Sequence, residues 1–417
     1  MDRYVVISAD THAGADLRDY RPYLPRDLHD EFDRWADSYQ SPFDDLVVAT
    51  AKRNWDSEFR LSEMDADGVA GEVLIPNTIP PFFPTSPNIT ISLPRTKDEL
   101  DKRWAGIQAH NRWQVDFCSL APERRRGLIQ VFPNDVERAM DEIRWGVEQG
   151  CFGGVLVPPV SPGDPVVPPL FHTRYEPLWG LCQDLDLSVV HHSGPGSPLM
   201  PMDQPASNPV LITEMATWAQ RTLGHLILAG VFERYPRLRF VPTEQGTMWV
   251  RMQVATLDAM VPSMKSDAQN RTYGIFGGSS VDALTMAPSD YVRRNCYFGT
   301  FLTPYEKGMI DWLGEDHVMW GTDYPHEEGT CPHTKLAIRW ALHDQAPERV
   351  RKIVGTNAAR VYGFDLDALA PIAERIGPSV EEMSTPLGDT GFVAPMAFAA
   401  RPFEGGLALA RLAPART

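Results

Sequence analysis

Residues 127–157 read GLIQVFPNDVERAMDEIRWGVEQGCFGGVLV. Residues 127–132 form a short apolar run. Within 135–148, Val136, Ala139, Met140, Ile143 and Val147 recur at three- and four-residue spacing, which gathers them on one face of a helix. Asn134 stands where a side chain caps a helix, and Gly150 where a helix stops. Residues 153–157 form a second apolar run. Strand, helix, strand is the unit of a parallel sheet, because parallel neighbours need a crossover connection. Both runs are nearly continuous in apolar residues, as strands covered on both faces are.

The same unit recurs on either side. Apolar β-rich runs lie at 4–8, 72–76, 187–191 and 238–242, with weaker ones at 296–299 and 317–321. Helical stretches fall at 101–118, 173–184, 214–232, 250–260, 304–313 and 346–362. Eight strands alternating with helices predict an α/β fold, the (β/α)8 TIM barrel. An open doubly wound sheet is the alternative, but its Gly-rich phosphate fingerprint is absent from the sequence. The barrel is expected over residues 1–376. Residues 77–98, rich in Pro, Thr and Ser, read as a loop insertion after strand two. Residues 377–417, rich in Pro, Ala and Gly, read as a C-terminal extension.

Composition narrows the function. The chain has 417 residues and a net charge of −16. Nucleic acid and anionic membranes attract basic faces, so neither is an expected partner. No stretch approaches ~18 consecutive apolar residues, the length of a membrane span. Nor does Met1-Asp2-Arg3-Tyr4 open like a signal peptide. The five cysteines (Cys118, Cys151, Cys182, Cys296 and Cys331) are scattered, without a CxxC pair. A reduced, cytoplasmic protein is the expectation, with neither a disulfide framework nor a cysteine zinc site.

In such a barrel, chemistry sits where the strands end and the loops converge. Strand one ends in Asp10-Thr11-His12, strand five in His191-His192-Ser193-Gly194, strand six in Thr243-Glu244-Gln245-Gly246. Strand eight ends in Thr322-Asp323-Tyr324-Pro325-His326. Asp10 and His12 are two apart, which puts them on one face of an extended segment. Consecutive His191 and His192 point to opposite faces, so one of them faces the axis. A mixed set of carboxylates and imidazoles suits zinc, manganese or iron, which activate a water or polarise a substrate oxygen. Taken singly, each residue has a plainer reading, as a helix cap, an ion pair or a packed histidine. Their shared position at strand ends is what favours chemistry. His326 follows strand eight closely enough to support Asp323, and His225 lies on the helix before strand six.

Several motifs together resemble the amidohydrolase-related family, in its branch similar to aminocarboxymuconate-semialdehyde decarboxylase. They are Asp10-Thr-His12, Asp186-Leu-Ser-Val-Val-His-His192-Ser-Gly, Gly230-Val-Phe-Glu-Arg-Tyr-Pro236, Thr243-Glu-Gln-Gly-Thr-Met-Trp249, Gly321-Thr-Asp-Tyr-Pro-His326 and Asn357-Ala-Ala-Arg-Val-Tyr-Gly363. The resemblance runs in order from about residue 4 to about residue 376. It implies one divalent metal, zinc first and manganese second. The implied ligands are Asp10, His12, His192 and Asp323, with Asp323 also the general base. His192 is preferred to His191 because the family's ligand immediately precedes a short Ser-Gly or Gly turn. Two positions depart from the family. Asp10 stands where its reference decarboxylases carry His or Glu. Glu244 stands where they carry an acid/base histidine after strand six, and a carboxylate there would shuttle protons only with a raised pKa. The leading expectation is therefore a metal-dependent hydrolase using Asp323 and Glu244. Non-oxidative decarboxylation of an aromatic or unsaturated acid is the alternative, and a non-catalytic barrel a lesser one. The loop with Phe82 and Phe83 would either roof the pocket over a small aromatic or apolar substrate or pack those two rings on the scaffold or at a dimer contact. A homo-oligomer, a dimer, is expected.

Overall fold

The computed structural model describes residues 2–39, 51–77, 80–83, 94–198, 200–300, 302–326 and 328–387. Eight strands follow one another around a parallel sheet: β1 (Ile7–Ala13), β2 (Gly71–Pro76), β3 (Arg125–Gln130), β4 (Phe152–Leu156), β5 (Ser188–His192), β6 (Phe240–Thr243), β7 (Phe298–Thr300) and β8 (Val318–Trp320). Each pairs with the next in sequence. The ring closes just beyond β8, where Asp323 N donates to Asp10 O (2.9 Å) and His12 N to Tyr324 O (2.6 Å). This is the (β/α)8 barrel the alternation predicts.

The first strand begins later than the apolar run at 4–8 suggests, and it continues through Asp10 and His12. Residues 3 and 4 are engaged elsewhere: Arg3 bridges to Ser379, and Tyr4 N donates to Pro378 O. Pairing with β2 slips by one residue between Ser8 and Thr11. Such a bulge re-aims the side chains that follow it.

Two apolar layers hold the barrel. Inside it, Ile7, Val73, Leu128, Val190, Val241 and Met319 pack together. The end opposite the site is plugged by Ala358, Val361, Tyr362 and Phe364. Outside it, helices such as Lys97–Ser119, Val136–Gln149 and Ser207–Leu228 cover the sheet. The cap of Val136–Gln149 is Asp135, whose side chain accepts from Arg138 N. Asn134 instead accepts from Trp104 Nε1, which corrects the expected cap.

Sequence periodicity overlooks the helix Ser57–Asp67, because Arg60 and Asp67 are among its buried residues. Polar side chains on the buried face erase the apolar stripe that signals a helix. Arg60 lies on Glu72, and Arg125 completes a buried triad with them. Burial opposes the charge on Glu72, but Arg60 and Arg125 hold its carboxyl below the usual range.

Of the two readings of Phe82 and Phe83, the scaffold-packing one holds and the roofing one does not. Phe83 is buried under the Arg103 guanidinium, and its carbonyl accepts from Trp35 Nε1. Phe82 packs beside Phe32 and Trp35. Residues 78–79 and 84–93 of that loop lie outside the described residues, as do 388–417 of the C-terminal extension. Residues 378–380 pair with the N-terminal segment. Among the described residues, no helix is long and apolar enough to cross a membrane.

Candidate metal centre

Four strand ends deliver six polar side chains to one place. β1 supplies Asp10 and His12, and β5 supplies His192. The turn after β6 supplies Glu244, and the segment after β8 supplies Asp323 and His326. His12 Nε2 lies 3.2 Å from Asp323 Oδ1 and 3.6 Å from both Asp10 Oδ1 and Glu244 Oε2. His192 Nε2 lies 2.9 Å from Glu244 Oε2 and 3.6 Å from Asp10 Oδ1. Asp10, His12 and Asp323 are sealed, at 1–3% exposure. Glu244, His192 and His326, at 13–18%, form the open side.

Hydrogen bonding separates the inner atoms from the outer ones. Asp10 Oδ1, His12 Nε2, His192 Nε2, Glu244 Oε2 and Asp323 Oδ2 are buried and have no hydrogen-bond partner. The 2.9 Å contact of His192 with Glu244 lacks the angle of a hydrogen bond. Their opposite atoms are fixed from behind. His192 Nδ1 contacts Ser193 O (2.8 Å), and Glu244 Oε1 accepts from Ser193 Oγ (2.8 Å). Asp323 Oδ1 meets His326 Nδ1 at 2.7 Å. Leaving several buried donors and acceptors unpaired costs about 1–3 kcal/mol each. A shared cation removes that cost, and outer contacts of this kind are how ligands to a metal are oriented. The donor set therefore fits a divalent ion.

The electrostatics agree. Burial raises the Asp10 carboxyl. Burial opposes protonation of His192, yet the Glu244 and Asp10 carboxylates hold its pKa well above the usual value. Burial also opposes ionisation of Glu244, but His192 and His12 pull its carboxyl well below the usual range. The raised pKa that a proton-shuttling Glu244 needs is thus not the one its surroundings impose. His326 rises to about 10 against its burial, chiefly through Asp323.

Of the two consecutive histidines, His192 joins the group. His191 turns away, with Nδ1 on Val157 O and its ring against Phe240. Burial lowers it to about 4, so it is a neutral packing residue. His225 sits against Phe171 and is not in the group. Three supporting residues escape a reading that looks only for His, Asp and Glu. Ser193 is one. Asn77, immediately after β2, places Oδ1 3.2 Å from His326 Nε2. Arg60 donates to His12 O (2.8 Å) and lies over the ring of Tyr324, beside Asp323. Asn77 also stands at a strand end, so extending the strand-end search to amides finds it.

Comparison with known proteins agrees with this architecture. The family model described as amidohydrolase matches residues 80–364. Gamma-resorcylate decarboxylase of Rhodococcus jostii is 27% identical over 272 residues, which span 60% of this chain and 74% of that protein. The structure of 5-carboxyvanillate decarboxylase from Sphingomonas paucimobilis is similar with a TM-score of 0.63 at 18% identity, covering 87% of this chain and all of that one. A 5-carboxyvanillate decarboxylase from Novosphingobium aromaticivorans, complexed with manganese and 4-hydroxy-3-methoxy-5-nitrobenzoic acid, also gives 0.63. It is 22% identical and covers 86% of this chain and 96% of that one. At those identities the structural likeness speaks for the fold. The family match spans well over half of the chain, so the protein belongs to the amidohydrolase family and is an enzyme of that superfamily.

Proposed function

We propose that this enzyme is a divalent-metal-dependent decarboxylase of an aromatic acid. The observation that carries the metal reading is the cluster of buried, unpartnered atoms on Asp10, His12, His192, Glu244 and Asp323, which fall in two overlapping donor sets sharing His12 and Glu244. The similarity to gamma-resorcylate decarboxylase supports decarboxylation over the hydrolysis first expected from sequence. The manganese in the Novosphingobium structure favours manganese over zinc.

A divalent ion held by these residues would bind substrate oxygens and stabilise negative charge on them. Decarboxylation breaks the bond from ring carbon to carboxylate, releases CO2, and puts a proton on the ring carbon. Asp323 is the group to hold that proton. Its Oδ1 is occupied by His326 while Oδ2 is unpartnered. His326 keeps Asp323 oriented, and Asn77 fixes the other imidazole nitrogen. The more exposed edge formed by His192, Glu244 and His326 admits the substrate. The aromatic assignment rests on the relatives, since Phe82 and Phe83 pack on the scaffold.

The test is to incubate the manganese-loaded enzyme with a panel of hydroxybenzoic acids and their esters and amides. CO2 release from an acid, abolished by chelator, is expected. Turnover confined to esters or amides would instead establish hydrolysis. One feature favours that second reading: Glu244 is a carboxylate at the strand-six position where the resemblance implies an acid/base histidine in the family's decarboxylases.

A further inference from the structure

We infer that Glu244 is a fifth metal ligand rather than a proton shuttle, and that this makes the centre selective for a six-coordinate divalent cation of the manganese kind over zinc. The inference deepens the proposed function and rests on its reading that a divalent ion occupies the cluster.

Three observations place Glu244 among the ligands. Its Oε2 approaches His192 Nε2 and His12 Nε2 at 2.9 and 3.6 Å, without a hydrogen bond to either. Asp10, His12, His192 and Glu244 each offer an atom within 4.8 Å of all the others. A single residue, Ser193, braces Glu244 through its hydroxyl and His192 through its carbonyl, so the two donors are set as a pair.

The backbone adds a separate indication. Glu244 has φ +55° and Asp323 φ +57°. Left-handed backbone is unfavourable for residues other than glycine and collects at functional sites. Here it occurs just past β6 and just past β8, and at each place it turns a carboxylate into the cluster. Glu244 is therefore delivered by the same device as Asp323.

Counting donors gives the selectivity. Two donor sets overlap at His12 and Glu244, one adding Asp10 and His192 and the other Asp323 and His326. An ion that draws on both sets through Glu244 takes carboxylates from Asp10, Glu244 and Asp323 and imidazoles from His12 and His192. Zinc sites are ordinarily four-coordinate. Five protein donors exceed that number and leave one place on a six-coordinate ion. Carboxylate-rich sets suit manganese.

The full-length chain, stripped with chelator, is titrated separately with Mn(II) and Zn(II) by calorimetry. Wild type is expected to bind one Mn(II) per chain. Glu244→Gln should weaken Mn(II) binding by about tenfold or more. It should weaken Zn(II) binding less, so that the preference shifts toward zinc. Ser193→Ala, which leaves the carboxylate but frees it, should weaken Mn(II) by a smaller factor. Should Glu244→Gln misfold, as judged by circular dichroism, Ser193→Ala carries the test alone. Unchanged Mn(II) affinity in the folded variants overturns the inference and leaves the metal reading intact. A wild-type chain that binds no divalent ion overturns both.

Discussion

Asp323 is 1% exposed and faces His12 on one side and His326 on the other. Its two oxygens have different surroundings, one bonded and one unpartnered. A carboxylate so divided can ligate or hold a proton without losing its orientation. Asp323→Asn keeps the shape but loses the charge and the proton-carrying oxygen. Turnover should fall by about 10²–10⁴-fold. Circular dichroism should remain that of wild type. Near-normal turnover in a folded variant would show that the proton comes from another group.

The strand ends act as a unit because β1 and the segment after β8 touch directly. Gly321 lies where a Cβ would come within 2.7 Å of Asp10 Cβ. Any larger residue pushes Asp10 out of register with the other donors. Gly321→Ala should therefore lower divalent-metal affinity by about tenfold, by analogy with losses in the supporting shell of metal sites. Equal affinity in wild type and variant would mean that Asp10 is not a ligand or that the strand yields. The helix Ser57–Asp67 buttresses the same elements from outside. Arg60, held by Glu72, reaches the His12 carbonyl and covers Tyr324. A buried guanidinium with one carboxylate partner is costly unless its remaining N–H groups are used. Here one of them is used on the backbone of the strand that carries Asp10 and His12.

Across the molecule, acid stability depends on histidines buried in the neutral form. His110 is fully buried beside Tyr20, and burial lowers its pKa to about 3. In the unfolded chain it is about 6.5. The folded value is the lower, so its contribution is complete above about pH 6.5 and is lost as pH falls toward 3. Over that window one proton is taken up on unfolding, a slope of about 1.4 kcal/mol per pH unit. His191, lowered to about 4, adds to the slope in the same window, so the test is a difference: in urea unfolding of the metal-free protein between pH 6 and 4, His110→Gln should show a slope smaller than wild type by about one proton. An unchanged slope would place the acid sensitivity elsewhere.

Sequence by itself determined the alternation of strand and helix and the strand ends that carry ionisable groups. Both are local properties: apolar runs and the 3.6-residue period are read within a dozen neighbours. The family resemblance pointed to His192 and Asp323 in the same local way, and both lie in the donor cluster. The helix Ser57–Asp67 escaped because its buried face is partly charged, a pattern intelligible only once Glu72 is seen against it. Tertiary structure alone decided how the strand ends face one another. It brought Glu244 Oε2 to the centre and set Ser193, Asn77 and Arg60 behind the inner atoms. These contacts join residues tens to hundreds of positions apart, and their geometry comes from barrel closure, a strand bulge and two left-handed residues. No local pattern encodes those distances, because they depend on how the whole ring closes.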